Sequence, residues 1–347
     1  MKERNPGMHV LDIKEGQRID RCEMSVFDLD RPLPLVIQPR QGEQIGLLEV
    51  AANKDALDAL LAQYGAILFR GFDVASKEAF NDFISHASSD ALFYSERSSP
   101  RHAVYRNIYT STDHPPDKEI VQHSEQSYNK SFPRRIFFYC EKPSPIGGNT
   151  PIADARKIYK RIPGDIVSTF EKRHYRYSRC FWQVMGTTWQ TAFQTPEKSK
   201  VEEYCRNNDI HFEWFPDDVL KTYQVRHTTA YHPVTGEPCW FNHCTFFNLL
   251  SLDEETQEIL SCSFEPNELP NQTFYGDGGI IEDAVIRTLQ DAYKAETVEF
   301  EWKQGDVIMI DNILVTHGRR SYQGERSLLC GMSDITHWEN VREKTHA

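Results

Sequence analysis

The sequence predicts a mainly β protein with helical insertions, built around a double-sheet jelly roll. Three observations carry this. Hydrophobic residues make up 39% and aromatics 12% of the 347 residues, enough for a substantial core. From Ile120 onward, short β-like runs are separated by Pro and Gly, the pattern of strands joined by turns. Helical periodicity is confined to the N-terminal stretch and to insertions, whereas a doubly wound parallel sheet would alternate strand and helix throughout.

Taken in order, "NKDALDALLAQYG" (53–65) places Leu57, Leu60, Leu61 and Tyr64 at helical spacing, with Gly65 where a C-cap belongs. "AILFR" (66–70) reads as a buried strand, and 75–88 as an amphipathic helix capped by Ser76. This opening, about residues 1–90, reads as a helix and strand scaffold outside the core. "IVQH" (120–123), "RIFFYC" (135–140) and "TPIAD" (150–154) are the next strands. Asp154 caps a helix that Pro163 ends, and further helices are expected at 196–207 and 251–261, the latter with a Ser251/Glu254 capping box. A helical insert over about 155–262 thus interrupts a core running from about 91 to 335, all within one domain spanning 1–347. Residues 281–296 are helical. Val298, Phe300 and Trp302 then alternate as one face of a half-buried strand, and "VIMI" (307–310) and Ser327–Met332 are the last two strands.

Composition excludes several classes. A net charge of −12 argues against nucleic-acid binding, which needs basic surface to displace counterions. The two basic stretches, 132–135 and 172–179, read as solvated surface. No apolar run approaches a membrane span, and the N-terminus has charges with no apolar run behind them. Eight scattered Cys without a CxxC favour reduced thiols, hence a cytoplasmic protein. Oligomeric state is not legible.

The stretch "IVQHSEQSYN" (120–129) sets His123 two residues before Glu125. That spacing alone carries nothing: with 13 His and 51 acidic residues, chance gives about two His-x-Asp/Glu pairs, and the chain has three, at 123/125, 211/213 and 337/339. The surroundings decide. On a strand, residues i and i+2 share a face, so His123 and Glu125 can grip one ion if both point inward. His317, just past "DNILVT", is the best third ligand. Two His and one carboxylate on one face of an octahedral ion leave three open positions, the arrangement of non-haem Fe(II) oxygenases, whereas a zinc hydrolase wants a tetrahedral site. An anionic co-substrate needs a cationic anchor. Arg326, nine residues after His317 and expected on the strand paired beside it, can bind a carboxylate through two nitrogens. Thr150, behind the glycines of "GGNT", adds a hydroxyl donor, and those glycines let the backbone approach a ligand closely.

These residues, with "GGNTPIADARKIYKRIP", "WFNH", "FYGDGG" and "GDVIMIDNILVTHGRRSYQGER", resemble the taurine dioxygenase (TauD/TfdA) family of Fe(II)/2-oxoglutarate dioxygenases over roughly 65–335. Within it the likeness is greatest to the clavaminate-synthase-like and SyrP-like amino-acid hydroxylases of natural-product biosynthesis. The resemblance implies a cupin-like double-stranded β-helix core. It also implies Fe(II) held by His123, Glu125 and His317, and 2-oxoglutarate held by Thr150 and Arg326, with dioxygen as second co-substrate and no catalytic residue beyond the metal centre. The implied reaction is hydroxylation of an unactivated C–H on an amino acid or amino-acid-like small molecule, free or carried on a carrier protein. Desaturation and cyclisation use the same chemistry. Glu125 argues against halogenation, since related halogenases carry a small residue there. Two departures stand out: Ser124-Glu125-Gln126 replaces the usual Asn-Glu-Met, and Cys330 replaces a second, substrate-binding Arg. Arg97, Arg101, Arg226 and Asn242 are therefore the candidates for meeting the substrate. A non-catalytic jelly-roll binding protein is the rival of another class, and it predicts a broken triad or a missing Arg326. A β-barrel metal hydrolase gives no reason for Thr150 and Arg326.

Overall fold

The apolar run Ala66–Phe69 lies inside a nine-stranded sheet and is buried on both faces, which is why it shows no polar alternation. The computed structural model describes residues 8–74, 76–88, 103–112 and 114–343. Across the large sheet the order is His9–Val10, Cys22–Val26, Leu35–Pro39, Ala66–Phe69, Val307–Asp311, Ser131–Lys142, Ser327–His337, Ile108–Thr110 and Ala103–Tyr105. All pairs are antiparallel except Leu35–Pro39 with Ala66–Phe69. The N-terminal strands thus extend the main sheet, correcting the expectation of a scaffold outside the core.

Successive residues of these strands enter different cores, as the two-residue period requires. Ile67, Phe69, Val307 and Met309 pack under the helices Leu47–Ala51, Lys54–Tyr64 and Lys77–Ala87. Gly65 at φ 79° ends the second of these helices, and Ser76 caps the third by accepting from the Ala79 N–H. Ala66, Leu68, Ile308 and Ile310 face the other way, sharing a core with Ile152 and Val315 of a second sheet. That sheet has three strands in the order Ile152–Asp154, Val315–Arg319 and Ile120–His123. The two sheets face each other across this core, and their hydrogen bonds do not close into a barrel among the described residues.

Among the described residues helices contribute nearly as many residues as strands, so the fold is mixed rather than mainly β. The 155–262 insert is not purely helical. It carries most of a four-stranded sheet, Tyr175–Phe181, His211–Phe215, Val219–Arg226 and Asn271–Tyr275, with its own aromatic core. Pro163 ends one helix, Ala155–Arg161, and starts another, Gly164–Arg173. The cap of Glu254–Ser263 is Asp253, accepting from the Thr256 N–H, two residues past the expected Ser251. Residues 297–302 form no strand; one bridge joins Val298 to Ile152. Burial of Phe300 and Trp302 satisfies the alternation without a partner strand.

Candidate metal centre

The antiparallel pairing of Ile120–His123 with Val315–Arg319 sets His123 directly opposite His317. Side chains in such a pair leave the sheet about 5 Å apart on one face, and the two imidazole centroids lie 4.6 Å apart. On its other side, His317 faces Ile152, so Thr150 is carried to the same edge of the site. Glu125 arrives differently. The strand ends at His123, and Glu125 enters a turn in which Gln126 takes a φ of 55°. Its backbone is clamped by Asn312. The Glu125 N–H donates to Asn312 Oδ1 at 2.7 Å, and Asn312 Nδ2 donates to the carbonyls of Glu125 (2.9 Å) and Pro133 (2.8 Å). The shared-face argument for His123 and Glu125 is thus corrected: a buried asparagine 187 residues away, not strand geometry, places the carboxylate.

Glu125 Oε2 lies 3.9 Å from His123 Nε2 and 3.6 Å from His317 Nε2. Adjacent ligands of an octahedral ion with bonds of about 2.1 Å stand roughly 3 Å apart, so the donors are slightly wider than a metal would draw them. Among the described residues this is the one cluster of three such donors. The His123 Nδ1–H donates to the Val121 carbonyl at 3.0 Å, which leaves Nε2 as the metal-facing lone pair. All three residues are buried, with Phe246 against His123 and Phe138 against His317.

A cavity of about 370 Å³ opens on this centre. Thr150 and Arg326 line it with His123 and His317. Arg326 does not sit beside the His317 strand as expected. It precedes Ser327–His337 in the large, facing sheet, so it reaches the cavity from the opposite wall. Its Nε donates to the Gly148 carbonyl at 3.1 Å. Gly148 has a φ of 76°, and a Cβ there would meet Arg326 Cδ and Nε at 3.0 Å. The glycine therefore admits the arginine rather than a ligand. No described acid pairs with Arg326, and burial, then the charge of Arg319, pull its pKa down to about 10. A cation held this way favours an incoming anion. The Thr150 hydroxyl, on the side of the cavity that carries His317, accepts from Trp302 Nε1 at 3.0 Å.

The substrate candidates fare differently. Arg226 is buried, and its guanidinium donates to the carbonyls of Tyr128, Val225 and Asn208, away from the cavity. Asn242 is buried too, donating to the Thr228 carbonyl and accepting from the Cys244 N–H. Neither lines the cavity. Arg97 and Arg101 lie outside the described residues. Cys330 is buried in the core between the sheets. His211, Glu213, His337 and Glu339 are exposed and assemble no site.

The basic stretches are structural rather than solvated. Arg134 pairs with Asp311, Arg135 with Asp58 and Asp334, and Arg176 lies 3.7 Å over the Tyr223 ring. Sequence reasoning missed Asn312, Trp302 and His243. His243 packs 5.2 Å from His123, pairs with Ser127 Oγ at 2.7 Å, and is kept neutral by burial. Its place in "WFNH", next to the candidate Asn242, is the available signal. All eight cysteines are free, and no described helix is long and apolar enough to cross a membrane.

Two imidazoles and a carboxylate gathered at one point, with a buried arginine across the cavity, fit a non-haem Fe(II) oxygenase that uses an oxo-acid co-substrate. The donor set and the anchors fit that metal and co-substrate. The chain belongs to the taurine catabolism dioxygenase TauD, TfdA family, whose model matches residues 29–333. It is 36% identical over 291 residues to the dapdiamide synthesis protein DdaC of Enterobacter agglomerans, covering 84% of this chain and 88% of that one. It is 28% identical over 320 residues to a clavaminate synthase-like protein of Arabidopsis thaliana, covering 87% and 94%. The fold is shared with AAD-2, solved with Mn(II) and N-oxalylglycine (TM-score 0.53, 13% identity, 91% and 98% covered). It is also shared with PvcB from Pseudomonas aeruginosa (TM-score 0.51, 14% identity, 93% and 94% covered). The protein is a non-haem oxygenase using Fe(II), 2-oxoglutarate and dioxygen.

Proposed function

We propose that this enzyme, a single catalytic domain on a jelly-roll core, hydroxylates an unactivated C–H of an amino acid or amino-acid-derived molecule in natural-product biosynthesis. The observation that carries the reading is the shared cavity. His123, Glu125 and His317 would hold iron, and Thr150, from the His317 side, together with Arg326, from the facing sheet, would hold the carboxylate of 2-oxoglutarate. When bound, iron with 2-oxoglutarate and dioxygen supplies an oxidant able to abstract hydrogen from an unactivated carbon. The chain's own part is positioning and exclusion of water. Phe246, Leu249, Leu252, Leu260 and Leu328 give the cavity an apolar lining that suits a substrate with an aliphatic body. The likeness to a dapdiamide synthesis protein supports a biosynthetic role, and the substrate we propose is free or on a carrier protein. The free cysteines support work in a reducing cytoplasm. A non-catalytic binding role is disfavoured because the triad and Arg326 are intact.

The test is mass spectrometry of amino acids, free and thioester-linked, after incubation with the enzyme, Fe(II), 2-oxoglutarate and oxygen. Gain of one oxygen atom on one of them supports hydroxylation. Loss of two hydrogens would replace it with desaturation or ring closure.

A further inference from the structure

Thr150 is offered to the cavity in a fixed polarity. The indole N–H can only donate, so the 3.0 Å contact from Trp302 Nε1 makes the Thr150 oxygen an acceptor. The hydroxyl proton must then go elsewhere, and among the described residues no other group takes it. Because Thr150 lines the cavity, that proton is available to a ligand oxygen.

The indole itself is held on both sides. Arg70 and Asp306 form a buried ion pair at 2.6 Å, with side-chain exposures of 8% and 1%. Arg70 Nη2 donates to the carbonyl of Glu301 at 2.7 Å, just before Trp302. Asp306 accepts from the N–H of Lys303 at 2.8 Å, just after it. Phe300 meets the ring edge-on, with centroids 4.9 Å apart. A buried ion pair is an expensive way to gain stability, and this one locks the main chain either side of a single tryptophan. The segment that alternates like a strand but pairs with none thereby acquires a task.

We propose that Trp302 is a positioning residue for the co-substrate: it fixes Thr150 as a hydrogen-bond donor, so that point of the wall selects a carboxylate oxygen over any donor group. This rests on Thr150 being an anchor for 2-oxoglutarate.

The test is anaerobic titration of 2-oxoglutarate into the Fe(II)-loaded protein, followed by its visible charge-transfer band. Trp302→Phe keeps a ring and deletes the N–H. It should raise the dissociation constant of 2-oxoglutarate about three- to tenfold without changing Fe(II) affinity. In a Thr150→Val background the same change should have no further effect, and in Thr150→Ser it should persist. Thr150→Val without effect on 2-oxoglutarate binding overturns the anchor and the inference with it. Thr150→Val weakening binding while Trp302→Phe does not, or the two adding independently, overturns the inference alone. Should Trp302→Phe not fold, the indole ¹⁵N–H resonances of the Zn(II)-loaded protein decide. One of the six tryptophans should shift when 2-oxoglutarate binds and not in Thr150→Val, and no such shift overturns the proposal.

Discussion

The floor and the roof of the cavity are built on different principles. On the floor four of the five site residues are held by a named protein partner: Val121 for His123, Asn312 for Glu125, Trp302 for Thr150 and Gly148 for Arg326. The roof is made of loops. The helix Glu254–Ser263 buries no residue, Leu252 and Ile259 stay largely exposed, and the helix meets the 114–118 loop through an exposed Lys118–Asp253 pair at 3.2 Å. Arg319 is the tie between them. It follows His317 by two residues, and its guanidinium donates to the carbonyls of His114 (2.8 Å), Pro115 (2.5 Å) and Lys118 (2.6 Å). The candidate metal site is thus wired into the sheets, while the roof of the cavity rests on exposed contacts that are weaker and more replaceable.

The largest effect that sharpens this contrast is loss of a ligand. His317→Ala should abolish the anaerobic charge-transfer band of Fe(II) and 2-oxoglutarate together with all turnover, read by absorption and succinate release. Next comes the clamp. Asn312→Ala leaves a buried N–H and two buried carbonyls unpartnered, so urea unfolding should show a loss of about 2–4 kcal/mol. Fe(II) affinity should fall roughly 10–100-fold, as for groups that orient metal ligands. A variant that unfolds easily yet binds iron normally would break the assignment of Asn312 to the metal centre.

Arg326 separates stability from function within the floor. Arg326→Met should raise the dissociation constant of 2-oxoglutarate about 10–100-fold, the worth of a charge-assisted pair. The unliganded protein should show no loss of Tm, because the variant removes a buried cation that no described acid balances. In the wild type, 2-oxoglutarate added to the metal-loaded protein should raise Tm by mass action, and in the variant the same concentration should raise it less. A large Tm loss in the variant would make Arg326 a structural residue.

The same division explains what the sequence disclosed. His123, Glu125, His317, Thr150 and Arg326 are of types whose chemistry is read from identity and order. Asn312 and Trp302 act on partners 187 and 152 residues away, and an asparagine in a turn or a tryptophan in an extended run looks the same with or without such a partner. Periodicity gave the helices Lys54–Tyr64 and Asp283–Glu296 nearly to the residue, since amphipathicity is local. It failed at 297–302 because alternation reports burial of every second side chain, not a neighbouring strand. Sheet order failed for a related reason. Nothing local in the 327–337 run says whether it pairs beside the His317 strand or across from it. The roof was the least legible part, since exposed loops are constrained by neither periodicity nor packing.

The smallest effect tests the roof. Lys118→Ala removes the Lys118–Asp253 pair, and substrate KM should move by less than about threefold, as exposed pairs do. The change should fade at high salt, with 2-oxoglutarate affinity unaltered. Its pH dependence follows from both partners. The Thr256 N–H and hydroxyl, and then Lys118, hold the Asp253 carboxyl down at about 2. Its contribution is therefore complete above the ordinary carboxylate range and is lost as pH falls toward that value. Asp253, by hydrogen bond and by charge, raises Lys118 above its ordinary value. That contribution is complete below the ordinary lysine range and is lost only as pH climbs through the raised value. Between about pH 5 and 9 both stay charged, so the ratio of wild-type to variant KM should be flat across that window. A ratio that bends within it would mean that a third group titrates with the latch, and the roof would then be networked like the floor.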